Sequence, residues 1–247
     1  MSLPLNNAEE VYTLVSTVED VSINTNTLLL GDSVCRQLFG DKKDEDIHCL
    51  CENQAYEIPG NYLLLKTLLN RKAHFKNLVL MVNPRTLAAS LNQKYTYNYF
   101  VKPFREHLDG LDEVEQRYIN GTFPKKGFLE YHFSSFDLPQ AYDIFRPEHM
   151  DSWKISEVNL KYIQKMDSLC RSNGIGFRMV APPLPSNNKT YVEEFPMTQR
   201  KDMAPYFDSI IYYDPKYTKD GLHHVNPRAF VKERKRELDL LIGGSTK

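Results

Sequence analysis

The chain has 247 residues, 41% hydrophobic and 26% charged, which is enough apolar material for one sizeable globular domain. Its 31 Lys and Arg against 32 Asp and Glu leave a formal charge of −1, so the net basic field that nucleic acid demands is missing. No apolar run approaches the roughly 18 residues of a membrane span, and Met1-Ser2-Leu3-Pro4-Leu5-Asn6-Asn7 lacks the basic start and apolar core of an export signal. On its face the sequence reads as a soluble, cytoplasmic single domain over 1–247, or an extracytoplasmic one if a signal or anchor has been removed.

In chain order, residues 8–26 read as a polar lead-in, mostly loop, with one helical turn around Val11-Tyr12-Thr13-Leu14-Val15. A first strand is expected at about 26–31, an uninterrupted apolar run of the kind found in a parallel sheet covered on both faces. A short helix from Ser33 to Phe39 should end at Gly40, where a left-handed cap costs glycine little. The charge run 41–46 reads as a solvated turn, and Ile47 to Cys51 as a second strand. Ile58-Pro59-Gly60-Asn61 reads as a turn leading to a helix from Asn61 to about Arg71. A third strand over 77–84 is stopped by Asn83-Pro84. This alternation implies right-handed crossovers and a parallel sheet.

Residues 85–150 break that rhythm with an irregular, aromatic-rich insertion that includes Tyr95, Tyr97, Tyr99, Phe100, Phe104, Tyr118, Phe128 and Tyr131. The plain reading is that these rings fill a small core of their own. The sharper one makes part of the segment a lid or substrate wall. A long amphipathic helix follows from Ser156 to about Asn173, with Val158, Tyr162, Ile163, Met166, Leu169 and Cys170 on its apolar face and Asn173-Gly174 at its end. Gly176 to Ala181 is a fourth strand, stopped by Pro182-Pro183-Leu184-Pro185, and Ile210 to Tyr213 a short fifth. Asn226 and Pro227 then open a final helix reaching Leu241. The cysteines, Cys35, Cys49, Cys51 and Cys170, are too scattered for a disulfide scaffold. Cys49 and Cys51, two apart on a strand, read as buried free thiols, and zinc would want a second ligand pair that the spacing does not offer.

Open parallel sheets bind ligands outside the C-terminal ends of their strands. Ser33 falls there after the first strand, Gly60 after the second, Asn83 after the third, and Asp220 with His223 after the fifth. A serine at such a strand-to-helix turn has a backbone N–H and the positive end of a helix beside it, and needs a base, an orienter for that base and oxyanion donors. His223 is the preferred base, because three residues separate it from Asp220 and let the carboxylate hold Nδ1–H; His224 is the competitor. The donors would be the N–H groups of Ser33 and Gly60 and the side-chain amide of Asn83. Taken singly, Gly60 also reads as a turn glycine and Asn83 as a strand-ending Asn-Pro. Asp32 reads as a carboxylate that steadies the turn by accepting nearby N–H groups, outside the triad.

The order strand-Gly31-Asp32-Ser33, strand-turn-Gly60, strand-Asn83 and Asp220-x-x-His223 before the last helix resembles the SGNH hydrolase superfamily, the GDSL-type lipases and esterases. The resemblance spans about 27–84 and 156–241 and leaves 85–150 outside. It implies a flavodoxin-like three-layer α/β/α sandwich with a five-stranded parallel sheet. Ser33 would be the nucleophile, Asp220 and His223 would complete the triad, and Ser33, Gly60 and Asn83 would form the oxyanion hole. It also implies hydrolysis of an ester, often a short acyl group on a carbohydrate or small alcohol, with no metal or organic cofactor. The third block departs from the family's Gly-x-Asn-Asp, reading Met81-Val82-Asn83-Pro84. Relatives with such a block look similar to polysaccharide O-acetyltransferases, so an acyltransferase using the same residues is the second expectation. A catalytically silent glycan-binding module is the third. A nucleotide-binding protein comes last, since the first turn carries no Gly-rich phosphate loop.

Overall fold

The computed structural model describes residues 8–20, 22–40, 42–52, 57–93, 95–123, 155–189, 210–218 and 227–243. Its elements are α1 (Ala8–Asp20), β1 (Asn24–Gly31), α2 (Ser33–Phe39), β2 (Ile47–Cys49), α3 (Ile58–Asn70), β3 (His74–Met81), α4 (Glu113–Thr122), α5 (Glu157–Ser172), β4 (Gly176–Val180), β5 (Leu184–Pro185), β6 (Tyr212–Tyr213) and α6 (Pro227–Leu241). The chain divides into two compact units: Met1–Ile23, Gln54–Ala73 and Thr86–Leu169 in the first, and Asn24–Asn53, His74–Arg85 and Cys170–Lys247 in the second.

The second unit is a mixed α/β body around a parallel four-stranded sheet in the order β2-β1-β3-β4. β1 is central because its Leu28, Leu29 and Leu30 are fully buried, so both faces of the strand are covered. Registers are set along its length, with Leu29 opposite Cys49 on β2 and Val79 on β3, and Gly31 opposite Met81. One face of this sheet, through Leu29, Val79, Met81 and Val180, packs with Val34, Cys35 and Leu38 of α2 and with Phe230, Leu238 and Leu241 of α6. The α6 helix is interrupted at Arg234, whose φ of −118° and ψ of 22° leave the helical region.

Several sequence expectations are corrected here. Tyr212–Tyr213 does not join the main sheet as a fifth strand. It pairs in parallel with Leu184–Pro185 in a separate two-stranded sheet. Pro182-Pro183 supplies no N–H groups and fixes its own φ, so the chain leaves β4 and restarts pairing at Leu184, whose N–H reaches Ile211 O at 2.9 Å. Gly40 ends α2 at φ −56°, ψ −25°, in right-handed rather than left-handed geometry. What requires glycine there is room: a Cβ would lie 1.9 Å from Arg36 Nη1 and 2.4 Å from Arg36 O. Gly174, by contrast, does take a positive φ of 70° after α5. Cys51 is not a free thiol, for it is disulfide-bonded to Cys35, with their Cα atoms 5.7 Å apart. The buried face of α2 returns over the end of β2, and nothing along the sequence separation of 16 gives a sign of it. Cys49 and Cys170 are buried thiols outside that disulfide.

In the first unit, the expected loop over 8–26 is the 13-residue helix α1. Val11, Leu14, Val15 and Val18 lie at i, i+3, i+4 and i+7 and are all buried, so an apolar stripe outweighs the poor helix propensity of valine and threonine. Ile58-Pro59-Gly60-Asn61 is not a turn before a helix but the first turn of α3, with Pro59 at a first-turn position where its missing N–H costs nothing. In the described part of 85–150, Tyr97, Phe100, Phe104 and Phe123 are buried. Tyr97 stacks on Phe123 at 5.9 Å, and Phe100 lies 5.4 Å from Phe104, so these rings pack on one another. Asn159 of α5 is fully buried and donates through Nδ2 to the carbonyls of Leu87 and Ala89 at 3.1 and 3.0 Å. That bond set fixes a segment which has no regular ladder of its own. Among the described residues no helix is long and apolar enough to cross a membrane.

Candidate functional site

The turn after β1 is built on a close approach. A Cβ on Gly31 would lie 2.1 Å from Met81 O, so only glycine lets β1 and β3 stay paired to their last residues. Asp32 N donates to the same carbonyl at 3.2 Å. Asp32 then leaves the strand at φ −96°, ψ −166° and caps α2, its Oδ1 accepting from Val34 N at 3.2 Å. Its Oδ2 accepts from Asn83 N at 2.7 Å. One buried carboxylate therefore joins the turn that carries Ser33 to Asn83, two residues beyond the end of β3. Ser33, the first residue of α2, is half-buried.

Asn83 is 5% exposed. Its Oδ1 accepts from Arg85 N at 3.0 Å, which identifies the other end of the amide, Nδ2, as the donor end. Arg85 Nη2 in turn donates to Asn188 Oδ1 at 3.1 Å. A chain of polar contacts thus runs from Asp32 through Asn83 and Arg85 to Asn188, along the C-terminal edge of β1, β3 and β4. These contacts tie the turn that carries Ser33 to the backbone of Asn83 and fix which way the Asn83 amide faces.

Gly60 belongs to the first unit and sits in the first turn of α3. The first intrahelical bond there is Asn61 N to Glu57 O, at 3.2 Å, so the Gly60 N–H is among the helix-initial amides without a partner inside the helix. Glu57, at the capping position, does not cap. It adopts φ 61° and ψ 153° and turns its buried carboxylate toward Gln93 and Thr96. Thr96 Oγ1 donates to it at 2.6 Å and Gln93 Nε2 at 3.1 Å. Burial raises this carboxyl to about 6, against the opposing pull of those hydrogen bonds. Asp220, His223 and the competing His224 lie outside the described residues.

Among the described residues, Cys35, Cys49 and Cys51 are grouped as metal ligands would be, with their sulfurs within 4.8 Å of one another. Two of the three are joined as a disulfide, so the group offers one thiol in this state. Sequence reasoning missed Glu57, Arg85, Asn188 and the Cys35–Cys51 bond. Glu57 had a signal, an acid directly before a proline-started helix. The others depend on contacts between distant segments.

No protein-family model matches the chain, and no curated protein matches it. A solved structure described as "a putative platelet activating factor from Streptococcus pneumonia" is similar at 16% identity over 95% of this chain and 94% of that one, with a TM-score of 0.30. A likeness at that score carries no argument about this chain.

Proposed function

We propose that this protein is a serine-dependent ester hydrolase of SGNH type, acting on a short acyl group of a carbohydrate or small alcohol. In this reading Ser33 Oγ attacks the ester carbonyl while His223 takes its proton and Asp220 holds the imidazole. The N–H groups of Ser33 and Gly60 and the Nδ2 of Asn83 receive the developing oxyanion. His223 returns the proton to the leaving alcohol, and water resolves the acyl-enzyme. The single observation that carries the reading is the Asp32 carboxylate, which bonds Val34 N on one side and Asn83 N on the other. It gives the candidate nucleophile and the candidate donor one rigid support. The parallel order β2-β1-β3-β4, with α2 and α6 on one face and the fully buried Leu28, Leu30, Leu78 and Leu80 alternating to the other, is what supports the finer architecture, a flavodoxin-like three-layer sandwich.

The test is turnover of p-nitrophenyl acetate by the wild type, Ser33→Ala and His223→Ala, with labelling by a serine-directed fluorophosphonate. Turnover and labelling that vanish in Ser33→Ala support the proposal. A wild type that neither turns over nor labels overturns it. Labelling with slow hydrolysis that a sugar acceptor accelerates would redirect the same residues to acyl transfer. Asn83→Ala should lower kcat by about 10²-fold, the usual worth of one oxyanion donor.

A further inference from the structure

Three cysteines meet beneath the helix that carries Ser33. Cys35 is two residues further along α2, Cys49 is the last residue of β2, and Cys51 follows it by two. All three are buried in the apolar cluster formed by α2, α6 and the sheet, and their sulfurs lie within 4.8 Å of one another. Cys35 and Cys51 form a disulfide, and Cys49 is a thiol. A thiol within one side-chain motion of a disulfide sulfur is the reactant of thiol–disulfide exchange.

We infer that Cys35, Cys49 and Cys51 form an internal exchange site in which Cys49 displaces Cys51 as the disulfide partner of Cys35. The Cys49 thiol gives up its proton and its sulfur attacks Cys35 Sγ. A Cys35–Cys49 bond forms, the Cys35–Cys51 bond breaks, and Cys51 Sγ leaves with the electron pair and takes up a proton. Nothing is oxidised or reduced overall, so the step needs no co-reactant. Attack on the other sulfur is disfavoured by covalent geometry. Residues two apart on an extended chain have Cα atoms about 6.6 Å apart, at the outer limit for a disulfide. The segment is extended there, with Cys49 in register with Leu29 and Leu50 N bonded to Leu29 O. Cys35, on a separate element, is the sulfur both others can reach.

The surroundings set the rate. Burial raises the Cys49 thiol to about 11, opposed by the Cys51 N–H that bonds its sulfur and by the charges of Arg36 and Lys43, while Glu52 raises it further. Arg36 on α2 and Glu52 beyond Cys51 face each other at 3.6 Å and largely cancel. Exchange is therefore slow near neutrality and quickens as pH rises. Its structural consequence is local. In one state α2 is tied to the segment after β2, in the other to β2 itself, and the buried thiol passes from Cys49 to Cys51.

The experiment uses the whole chain without reductant. Protein held near pH 7 and near pH 9 is quenched in acid, unfolded, alkylated with N-ethylmaleimide and digested, and tandem mass spectrometry locates the label. Label on Cys49 that spreads to Cys51 over minutes to hours at the higher pH is the expected result, with Cys170 labelled throughout as reference. Cys49→Ser should abolish label on Cys51. Cys51→Ser should be isolated with a Cys35–Cys49 bond. Label confined to Cys49 at both values, or on all three cysteines, overturns the inference. The wild-type arm decides the matter even where Cys51→Ser does not fold.

Discussion

Two buried carboxylates stand at the starts of two helices and do opposite things. Asp32, at the start of α2, keeps an extended backbone and folds its short side chain back onto Val34 N, leaving its second oxygen for Asn83 N. Glu57, at the start of α3, has a side chain too long to cap and a backbone at φ 61°. Its carboxylate reaches Thr96 and Gln93 and leaves the first amides of its own helix without a side-chain cap. The difference follows from one methylene. The short acid satisfies its helix and has an oxygen to spare, whereas the long one stabilises a distant segment, strains its own backbone and leaves amides for another acceptor. Leu91, within the segment Glu57 holds, is strained as well, at φ 62°.

The comparison can be broken hardest at Gly31. Gly31→Ala drives a Cβ against Met81 O and should cost about 3 kcal/mol or more in urea unfolding, with loss of the proposed esterase turnover. A loss under about 1 kcal/mol would mean that β1 and β3 part easily there and that the Asp32 turn is not rigid. Asp32→Ala strands the N–H groups of Val34 and Asn83 and should cost about 2.5 kcal/mol; near-neutral stability would show that water replaces the carboxylate.

Glu57 is read through pH. Its carboxyl is raised from 4.5 to about 6, so between those values the folded chain holds a proton that the unfolded chain has lost. Its contribution is fully present below 4.5 and is lost as pH rises through 6, a fall of roughly 2 kcal/mol. Unfolding free energies of the wild type minus those of Glu57→Gln should fall across that window; a difference that is flat or rises would remove the strained-acid account. The smallest effect is expected from Thr96→Val, about 1 kcal/mol at neutral pH. Since the Thr96 hydroxyl lowers the Glu57 carboxyl, its loss should move the window upward, and an unmoved window would mean Thr96 serves only as packing.

Much of the second unit was legible in advance because its signals are local. The apolar run of β1, the Gly31-Asp32-Ser33 turn and the Asn83-Pro84 stop need no knowledge of what lies opposite. The reading of Asp32 as a turn-steadying acceptor follows from its position before a helix, and Val34 N and Asn83 N are the groups it finds. Less was legible in the first unit. The stripe of α1 was hidden by its threonines and valines, and Ile58-Pro59-Gly60 reads as a turn until α3 is seen to begin at Ile58.

The sequence by itself determined the parallel βα rhythm, the placement of Ser33 at a strand-to-helix turn and of Asn83 after β3, and the apolar faces of α5 and β1. These depend on periodicity and on the φ preferences of glycine and proline, which act over a few residues. Only the tertiary structure decided that Tyr212–Tyr213 pairs with Leu184–Pro185, that Asp32 spans from its own turn to Asn83, that Glu57 binds Thr96 and Gln93, and that Cys35 finds Cys51. Each of these joins segments far apart along the chain. Such pairings are set by which buried polar groups and sulfurs the packed elements bring face to face, and burial makes satisfying them obligatory.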